Sequence, residues 1–483
     1  MAETEQVAQR MSRVVRWVIA AGLIALLSGC DAKSNDEARE DAEFDPTPDA
    51  GNLGFVHAIP NAPQVAVAYA GSNGGAEQFS LGFGEARREC VLVGGYNVQV
   101  TYEDPVGDTV TLVERFGDDN IKLFADDETT LVLAGTLANP NIFEVNNTEY
   151  GYGDGDRGCV PLEPEVQFLH TVSGRATLDF YLTAAGAGLA GETPVSLAFG
   201  EASPLQSIPA GSDYRIRVTS PGGAANVLYD SGTTTFSADN RVLLDAFNYF
   251  GPGDAQLRVK RIQSFASTFP DEPYVNTYRV GQLVADVPAI DVYLGSATGI
   301  PEFSGQPFQT VSDYQSFIRG SYENNATVAG VPADVLFNGG ITLSPGDAIV
   351  QYFAGLRSDP ASGNALNVVG PGAIEDYRPI PDYAQVRAVN GAAGSGSLNV
   401  FLVRPGETTA SRPATFPLLD FGTTQATVIG AGGYDLVVRG ADGSVLIGPE
   451  RITLVETSRY SLLLTDTAGG GPPLEWVLDP TPI

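Results

Sequence analysis

The chain has 483 residues, 58 of them acidic and 27 basic, which gives a formal net charge of −31. A surface with this excess of negative charge repels nucleic acids and anionic lipid headgroups, so we expect no nucleic-acid partner. A chain of this length is too long to fold around one hydrophobic core, so we expect three or four domains. Its 56 glycines and 32 prolines are typical of many short strands joined by turns.

The first predicted element is an export signal. Arginines precede an apolar run over 17–27, which ends in the motif LSGC at residues 27–30. The run has about a dozen residues, whereas a membrane-spanning helix needs about 20. The order basic, apolar, small and Cys therefore predicts a lipoprotein signal over 1–29, cleaved before a lipidated Cys30. Ordinary secretory cleavage is the alternative, and Met11 is a second candidate start.

The predicted lipid on Cys30 attaches the protein to a membrane of a bacterial cell envelope, facing the periplasm or the cell surface. Asp31 resembles the inner-membrane retention signal of enteric bacteria, but that rule does not transfer safely to other bacteria. Inner and outer membrane therefore both stay open. Residues 30–50 hold eight acids and almost no apolar side chains, which predicts a disordered acidic linker of about 25 Å if it is flexible.

Cysteine usage agrees with export. With Cys30 lipidated, Cys90 and Cys159 remain as an even pair in an oxidising compartment. We predict a disulfide between them. It would close a loop of about 70 residues and stabilise the fold by roughly 4 kcal/mol in the chain-entropy model.

Beyond the linker the sequence repeats with a period of about 110 residues, which suits one domain per repeat. Each unit opens with two strand patterns in which apolar and polar residues alternate. Six to eight short strands per unit predict a β-sandwich. The predicted fold class is all-β, with tandem immunoglobulin-like sandwiches over 51–161, 162–276, 277–381 and 382–483, the third being the most divergent.

Two further blocks recur inside the units. The sequence Phe83-Gly84-Glu85 matches Phe199-Gly200-Glu201, and Phe421-Gly422 is a weaker copy. A strand that opens with glycine and then tyrosine follows in every unit. The four tyrosines are Tyr96, Tyr214, Tyr322 and Tyr434.

The unit openings resemble the bacterial domain-of-unknown-function family 4397, whose members begin with V-H-A-x-P-x-A-P and continue with V-D-V-Y. The segment from His57 to Pro63 matches the first part, and Asp291 lies in a match to the second. Ala66 stands at the Asp position of the first unit, and the last two units lack the histidine. The resemblance implies an exported, β-rich, often lipidated protein with tandem domains, and it implies no activity.

His57 and His170 are the only histidines, and they occupy equivalent repeat positions. A catalytic role would need a nucleophile or carboxylate within hydrogen-bond reach. Alignment of the openings places Val284 and Asn390 at the same position. A hydrogen bond between side chain and backbone at the strand end explains this better than catalysis, so we predict no catalytic residue.

Acidic turns at 118–119, 126–128 and 151–157 are candidates for calcium, which needs six to eight oxygen ligands. The last loop supplies Asp154 and Asp156 without the spacing of an EF-hand. Carboxylates in turns are expected by chance in so acidic a chain. We therefore predict no metal or cofactor site, and calcium stays a weak candidate partner.

Tyr249 and Tyr274 are candidates for stacking on sugars, although aromatic residues in sandwiches are more often core. No nucleophile elbow or phosphate-binding loop is present in the sequence. We expect a non-enzymatic, membrane-anchored protein with a binding, adhesion or spacer role toward a carbohydrate or an envelope protein. The alternative is a hydrolase-like envelope enzyme with an acidic site between repeats, which raised carboxyl pKa values clustered in one cleft would favour.

Overall fold

The computed structural model describes residues 50–124, 127–147, 164–223, 226–237, 241–251, 255–263, 265–346, 348–358, 367–369, 378–410 and 412–481. Over these residues every regular element is a β-strand, apart from one 3-10 turn at Gly117–Asp119. The predicted all-β fold of tandem sandwiches is therefore confirmed. The predicted signal, Cys30, the acidic linker and Cys159 lie outside the described residues.

The first two repeats contain eighteen strands. Those of repeat 1 are β1 (Ala50–His57), β2 (Val65–Gly71), β3 (Ala76–Leu81), β4 (Ala86–Leu92), β5 (Gly94–Glu103), β6 (Thr109–Arg115), β7 (Ile121–Leu123), β8 (Glu128–Thr136) and β9 (Asn139–Asn147). Those of repeat 2 are β10 (Glu165–His170), β11 (Thr177–Ala184), β12 (Val195–Ala198), β13 (Gln206–Ser207), β14 (Asp213–Thr219), β15 (Val227–Thr235), β16 (Arg241–Asn248), β17 (Leu257–Ile262) and β18 (Ala266–Thr268).

The other two repeats contain seventeen strands. Those of repeat 3 are β19 (Asn276–Val284), β20 (Ala289–Leu294), β21 (Phe303–Pro307), β22 (Thr310–Val311), β23 (Gln315–Phe317), β24 (Gly320–Val328), β25 (Val331–Leu343), β26 (Ala348–Gly355) and β27 (Asn367–Val369). Those of repeat 4 are β28 (Tyr383–Asn390), β29 (Leu398–Val403), β30 (Phe416–Leu419), β31 (Thr424–Gly430), β32 (Gly432–Gly440), β33 (Val445–Leu454), β34 (Arg459–Thr465) and β35 (Glu475–Thr481).

All four repeats share one strand order. The sheet that contains the first strand of a repeat is called its inner sheet, and these are β4-β1-β8-β9, β13-β10-β16-β17-β18, β22-β19-β26-β27 with β23 beside β19, and β31-β28-β34-β35. The outer sheets are β3-β2-β5-β6 with β7 beside β5, β12-β11-β14-β15, β21-β20-β24-β25 and β30-β29-β32-β33. The first strand runs parallel to one neighbour, as β1 does to β8. This order differs in detail from the ABED and CFG sheets of immunoglobulin constant domains.

Each repeat encloses one apolar cluster between its two sheets. In the outer sheets, burial alternates along the strand, as in β2, where Val65, Val67 and Tyr69 face the core. In the inner sheets, the central strands β19 and β26 are buried at every residue. Continuous burial requires that both faces of a strand are covered.

The second face of each inner sheet is covered by the inner sheet of another repeat. Repeats 1 and 2 share an apolar cluster that includes Val56, Val132, Leu169 and Leu243. We call this contact the lower seam. Repeats 3 and 4 share a second cluster, the upper seam, which includes Leu283, Tyr352, Val389 and Leu463.

The two pairs of repeats meet end to end. We call the end of a sandwich where its first strand begins the proximal end, and the opposite end the distal end. At the distal end of repeat 1, the Glu103 carbonyl accepts a hydrogen bond from Tyr383 Oη of repeat 4 at 2.9 Å. At the distal end of repeat 2, Tyr249 Oη donates to the Gly346 carbonyl of repeat 3 at 3.4 Å. Repeats 1 and 2 therefore form a lower tier, and repeats 3 and 4 form an upper tier.

Candidate functional site

The recurrent Phe-Gly block is a turn that closes the end of the inner sheet. The amide of Gly84 donates to the His57 carbonyl at 2.6 Å, and Gly200 donates to His170 at 2.9 Å. These glycines have φ values of +69° and +83°, a left-handed backbone that favours glycine. Gly422 repeats the contact with the Asn390 carbonyl at 2.8 Å. The Phe-Gly block therefore serves the conformation of this turn and does not bring reactive side chains together.

Repeat 3 contains the same turn without a glycine. Gln309 has φ of +62°, and its amide donates to the Gln282 carbonyl at 2.8 Å. Its side chain crosses the upper seam, where Nε2 donates to Thr465 Oγ1 at 2.8 Å and to Glu475 Oε2 at 2.9 Å. The sequence comparison missed this copy because its diagnostic glycine is a glutamine.

The two histidines lie at the strand end that this turn closes. His57 pairs with Leu133 and His170 with Ala246 on the parallel neighbouring strands. The corresponding pairs in repeats 3 and 4 are Gln282 with Phe353 and Asn390 with Leu464. Gln282, and not Val284, is therefore the residue equivalent to histidine. The sequence alignment was wrong there by two residues.

All four side chains at this position hold the same turn. Each accepts a hydrogen bond from the backbone N–H two residues further on. The donors are Ile59 to His57 Nδ1 at 3.4 Å, Val172 to His170 Nδ1 at 3.2 Å, Val284 to Gln282 Oε1 at 2.6 Å and Ala392 to Asn390 Oδ1 at 3.1 Å. Burial lowers the pKa of His57 to about 3 and of His170 to about 4. Both imidazoles are therefore neutral near pH 7 and serve as turn-holding groups.

The aspartate of the V-D-V-Y pattern also binds backbone. Asp291 Oδ1 accepts from Gly305 N at 2.7 Å, and Oδ2 accepts from Gly330 N at 2.8 Å. The equivalent Asp179 accepts from Gly222 N at 2.8 Å. A carboxylate that links two neighbouring strands in this way is committed to the fold.

The recurrent tyrosines form a tyrosine corner in every repeat, a contact in which the hydroxyl bonds a carbonyl a few residues upstream. The four pairs are Tyr96 with Leu92, Tyr214 with Pro209, Tyr322 with Ile318 and Tyr434 with Gly430. The recurrent motifs are thus accounted for by folding.

The lower seam contains a buried cluster of opposite charges. Glu128 is 1% exposed, and its two oxygens lie 3.2 Å from Arg88 Nη2 and 3.3 Å from Arg241 Nη1. Arg241 also pairs with Glu165, and burial lowers the pKa of Arg241 to about 10. Arg88 further donates to the Ile262 carbonyl of repeat 2 at 3.3 Å. The cluster joins the two repeats and leaves no carboxylate free for chemistry.

Carboxyl groups with raised pKa values occur at separate places. Burial raises the pKa of Asp245, in the lower seam, to about 7. Burial also raises the pKa of Asp271, where repeats 2 and 3 meet, to about 7. Burial also raises the pKa of the Asp466 carboxyl in repeat 4. Since these three groups lie in different parts of the fold, they do not form one acidic cleft.

The acidic turns fare differently from one another. Asp118 and Asp119 are exposed in the 3-10 turn, and Asp119 pairs with Arg115. Glu128 was predicted to lie in an acidic turn, but it begins β8 and is buried. Asp126 and the 151–157 loop lie outside the described residues. Among the described residues, no three His, Cys, Asp or Glu side chains are grouped so that they could hold a metal ion.

Neither tyrosine proposed to stack on sugars forms an open platform. Tyr249 is 9% exposed, and the guanidinium of Arg258 covers its ring with Cζ 4.6 Å from the ring centroid. Tyr274 is only partly exposed, and its amide donates to the Asp271 carbonyl at 3.0 Å. Both lie at the contact between repeats 2 and 3, which explains their side-chain type without a ligand.

A shallow cleft of about 660 Å³ lies where repeats 1 and 4 meet. Asp104, Asp382, Glu456 and Arg404 supply its charged groups, and Val106 its apolar edge. Arg404 is committed, because it donates to the Gly430 and Ala431 carbonyls at 3.3 and 3.1 Å. The three carboxylates make this cleft compatible with a cationic group.

The cysteine predictions stay open. Cys90 lies at an exposed position of β4, while its predicted partner Cys159 and the predicted lipid site Cys30 lie outside the described residues. Within the described part of the chain, there is no helix with the length and apolarity that a membrane crossing requires.

No family model matches the chain, and no curated protein matches it. Among solved structures it is similar to the TIE protein of Bacillus anthracis, with 8% identity over 83% of this chain and 68% of that chain and a TM-score of 0.15. It is also similar to the pilus adhesin SpaC of Lactobacillus rhamnosus GG, with 11% identity, 61% and 38% coverage and a TM-score of 0.11. Neither similarity is close enough to carry functional information.

Proposed function

We propose that this chain is a lipid-anchored envelope protein whose lower tier supports an upper tier that binds a partner. One observation carries this layout. The distal ends of repeats 1 and 2 are occupied by repeats 4 and 3 through the Glu103 and Gly346 contacts. The loops at the distal ends of repeats 3 and 4 are therefore the free end farthest from residue 50, where the predicted linker joins.

The free distal end has the chemistry of binding loops. The β32–β33 hairpin turns at Asp442, Gly443 and Ser444, all exposed, and Asp442 Oδ1 accepts from the Ser444 amide at 2.9 Å. Short, ordered loops on a rigid sandwich are the usual place for recognition residues. Because these loops are short and lie on a rigid sandwich, we assign the binding role to this end.

The distribution of charge favours a partner that carries positive charge. Seven arginines are buried, and four of them, Arg88, Arg241, Arg258 and Arg378, contact a neighbouring repeat. Within the described ranges, the exposed basic residues are Lys122, Arg319, Arg357 and Arg451, against seventeen exposed acidic residues. Folding thus hides cations and leaves an outer surface that attracts basic proteins and repels acidic glycans. A basic envelope protein therefore suits this surface better than an acidic carbohydrate.

The two-tier arrangement also limits a spacer role. Strands of eight to ten residues give each sandwich a length of about 30 Å. Two tiers therefore span about 60 Å, roughly half of what four sandwiches in a single row would reach. A chain built only for reach would not fold back through two seams.

The test uses the full chain in its own envelope. Photo-crosslinking amino acids are placed at Ser444 in the upper tier and, as the matched control, at the exposed Ser80 in the lower tier. We expect a discrete cross-linked partner from Ser444 only, and loss of membrane attachment in Cys30→Ser. Crosslinks from neither position would contradict the binding role. A hydrolase activity abolished by one carboxylate substitution would instead support the enzyme alternative.

A further inference from the structure

Two aromatic rings are exposed at the proximal end of repeat 1. Phe116 is 43% exposed and Phe124 is 65% exposed. They flank the segment 117–123, which runs from the end of β6 through the 3-10 turn into β7. Exposed large apolar side chains at the end of a domain mark a contact surface when they occur together.

The segment is held firmly against the sandwich. β7 pairs with β5, with Tyr96 opposite Ile121 and Gly94 opposite Leu123. Ile121 and Leu123 are each 2% exposed and belong to the core of repeat 1. The buried pair fixes the backbone, so the neighbouring Phe124 projects from a rigid edge rather than from a loose loop.

The chain enters the fold at the same edge. A Cβ at Gly51, the second residue of β1, would lie 2.9 Å from the Phe124 carbonyl. The predicted linker over 30–50 therefore joins the sandwich beside this ring. A flexible linker of this length places the joined end within about 25 Å of the lipid on average.

The exposed segment itself carries less negative charge than the chain as a whole. The segment 115–124 has two basic residues, Arg115 and Lys122, and two acidic ones, Asp118 and Asp119. Lys122 is exposed, and Arg115 Nη1 lies 2.9 Å from Asp119 Oδ1. Asp127 and the predicted acidic linker adjoin the same edge, so we expect the contact with zwitterionic and not with anionic lipid headgroups.

We propose that the proximal end of repeat 1 rests on the lipid bilayer, with the Phe116 and Phe124 rings inserted at headgroup level. Aromatic rings favour this depth, and a lipid chain anchors more stably when a second apolar contact assists it. The proposal rests on the proposed lipid anchor at Cys30. It fixes the orientation of the two tiers, with the upper tier pointing away from the membrane.

Tryptophan quenching tests the contact directly. In a Trp476→Phe background, Phe124→Trp is compared with Ile300→Trp, whose site in repeat 3 of the upper tier is 90% exposed and makes a control away from the proposed contact. The lipidated full chain is reconstituted into phosphatidylcholine vesicles with brominated acyl chains. We expect the bromines to reduce Phe124→Trp emission at least twofold and to leave Ile300→Trp unchanged.

Flotation of the vesicles distinguishes a failure of the lipid anchor from a failure of the proposed membrane contact. A chain that does not float with the vesicles contradicts the lipid anchor, and with it the proposed function. A chain that floats with Phe124→Trp unquenched overturns the membrane contact alone. Equal quenching at both positions would also overturn it, because the contact would then lack orientation.

A second variant pair identifies a competing occupant of the same surface. Phe116→Ser with Phe124→Ser should speed transfer of the lipoprotein between vesicles severalfold, while Ile300→Ser with Val331→Ser, two exposed sites in the upper tier, should not. Without vesicles, sedimentation should show the same mass for all forms. A dimer that the Phe116 and Phe124 substitutions abolish would overturn the proposal in favour of a second copy of this chain.

Discussion

The lower and upper seams have the same strand register but different chemistry. They differ at the first residue of the strand that runs parallel to the first strand of each repeat. This residue is Glu128 in repeat 1 and Arg241 in repeat 2, but Ala348 in repeat 3 and the buried Arg459 in repeat 4. In the upper seam, the Tyr352 ring lies over Gly281 of its own sheet, where a Cβ would lie 2.3 Å from the ring, and its hydroxyl reaches Ser461 of repeat 4. The lower seam is thus joined around a carboxylate that two arginines share, and the upper seam around an aromatic residue.

The comparison shows that a covered sheet face can be stable in two ways that respond differently to solution conditions. A buried ion pair adds little net stability over an apolar contact of the same volume, but it is costly to break. The lower tier also contains both histidines and Asp245, while Gln282 and Asn390 replace the histidines above. Burial also raises the pKa of Asp466 in the upper tier, but the large shifts of both histidines and Asp245 lie in the lower tier. We therefore expect the lower tier to be the more pH-sensitive half.

Glu128→Ala should have the largest effect. It leaves Arg88 and Arg241 buried without their shared carboxylate, which should cost about 3–5 kcal/mol in the free energy of unfolding. Hydrogen exchange should rise in β1 and β8 and stay unchanged in β19 and β26. The control is the triple change of Glu128, Arg88 and Arg241 to Met, which should recover most of the loss. An equal rise of hydrogen exchange in both tiers would contradict the difference between the two seams.

Asp245→Asn tests the loss of stability that we expect as the pH rises from 4 to 8. Burial raises the folded pKa of Asp245 to about 7 from 3.8, so its contribution is present below pH 3.8 and is lost as pH rises through 7. Wild type should lose up to about 4 kcal/mol over this range. The amide oxygen can still accept from Thr171 Oγ1, which donates to Asp245 at 2.8 Å. Urea unfolding of the variant should vary less between pH 4 and 8, and an unchanged slope would refute the assignment.

The sequence predicted the outer sheets better than the inner ones. Strands such as β2, β5 and β32 expose one face and show the alternation that marks half-buried strands. The inner strands do not alternate, because their second face meets another repeat, and a single sequence contains no record of which repeat that is. For the same reason the partners of Glu128 could not be predicted, although a carboxylate that begins an apolar strand was a signal. Gln309 shows the other limit, since the turn kept its geometry while its residue type changed.

His57→Gln tests the loss of stability that we expect as the pH falls from 7 to 5. The folded pKa of His57 is lowered to about 3 from 6.5, so its contribution is present above pH 6.5 and is lost as pH falls toward 3. The loss should be about 2 kcal/mol at pH 5. Gln282 already holds this turn in repeat 3, so glutamine at 57 should cost little at pH 7 and remove the loss at pH 5. The reciprocal change, Gln282→His, should make the upper tier acid-sensitive, and failure of both would show that the turn does not govern acid stability.

Tyr352→Phe should have the smallest effect and tests how much one hydrogen bond adds to the packing of the upper seam. It removes the 3.2 Å hydrogen bond between Tyr352 Oη and Ser461 Oγ and keeps the ring over Gly281. One neutral hydrogen bond contributes about 1 kcal/mol, whereas an enlarged Gly281 would force the ring away. Trp476 lies in β35 and packs against the core of repeat 4 in the same tier, so its fluorescence during urea unfolding follows the unfolding of repeat 4. A midpoint shift as large as that of Glu128→Ala would mean that this hydrogen bond, and not the packing of the ring, holds the upper seam, because the ring itself is unchanged.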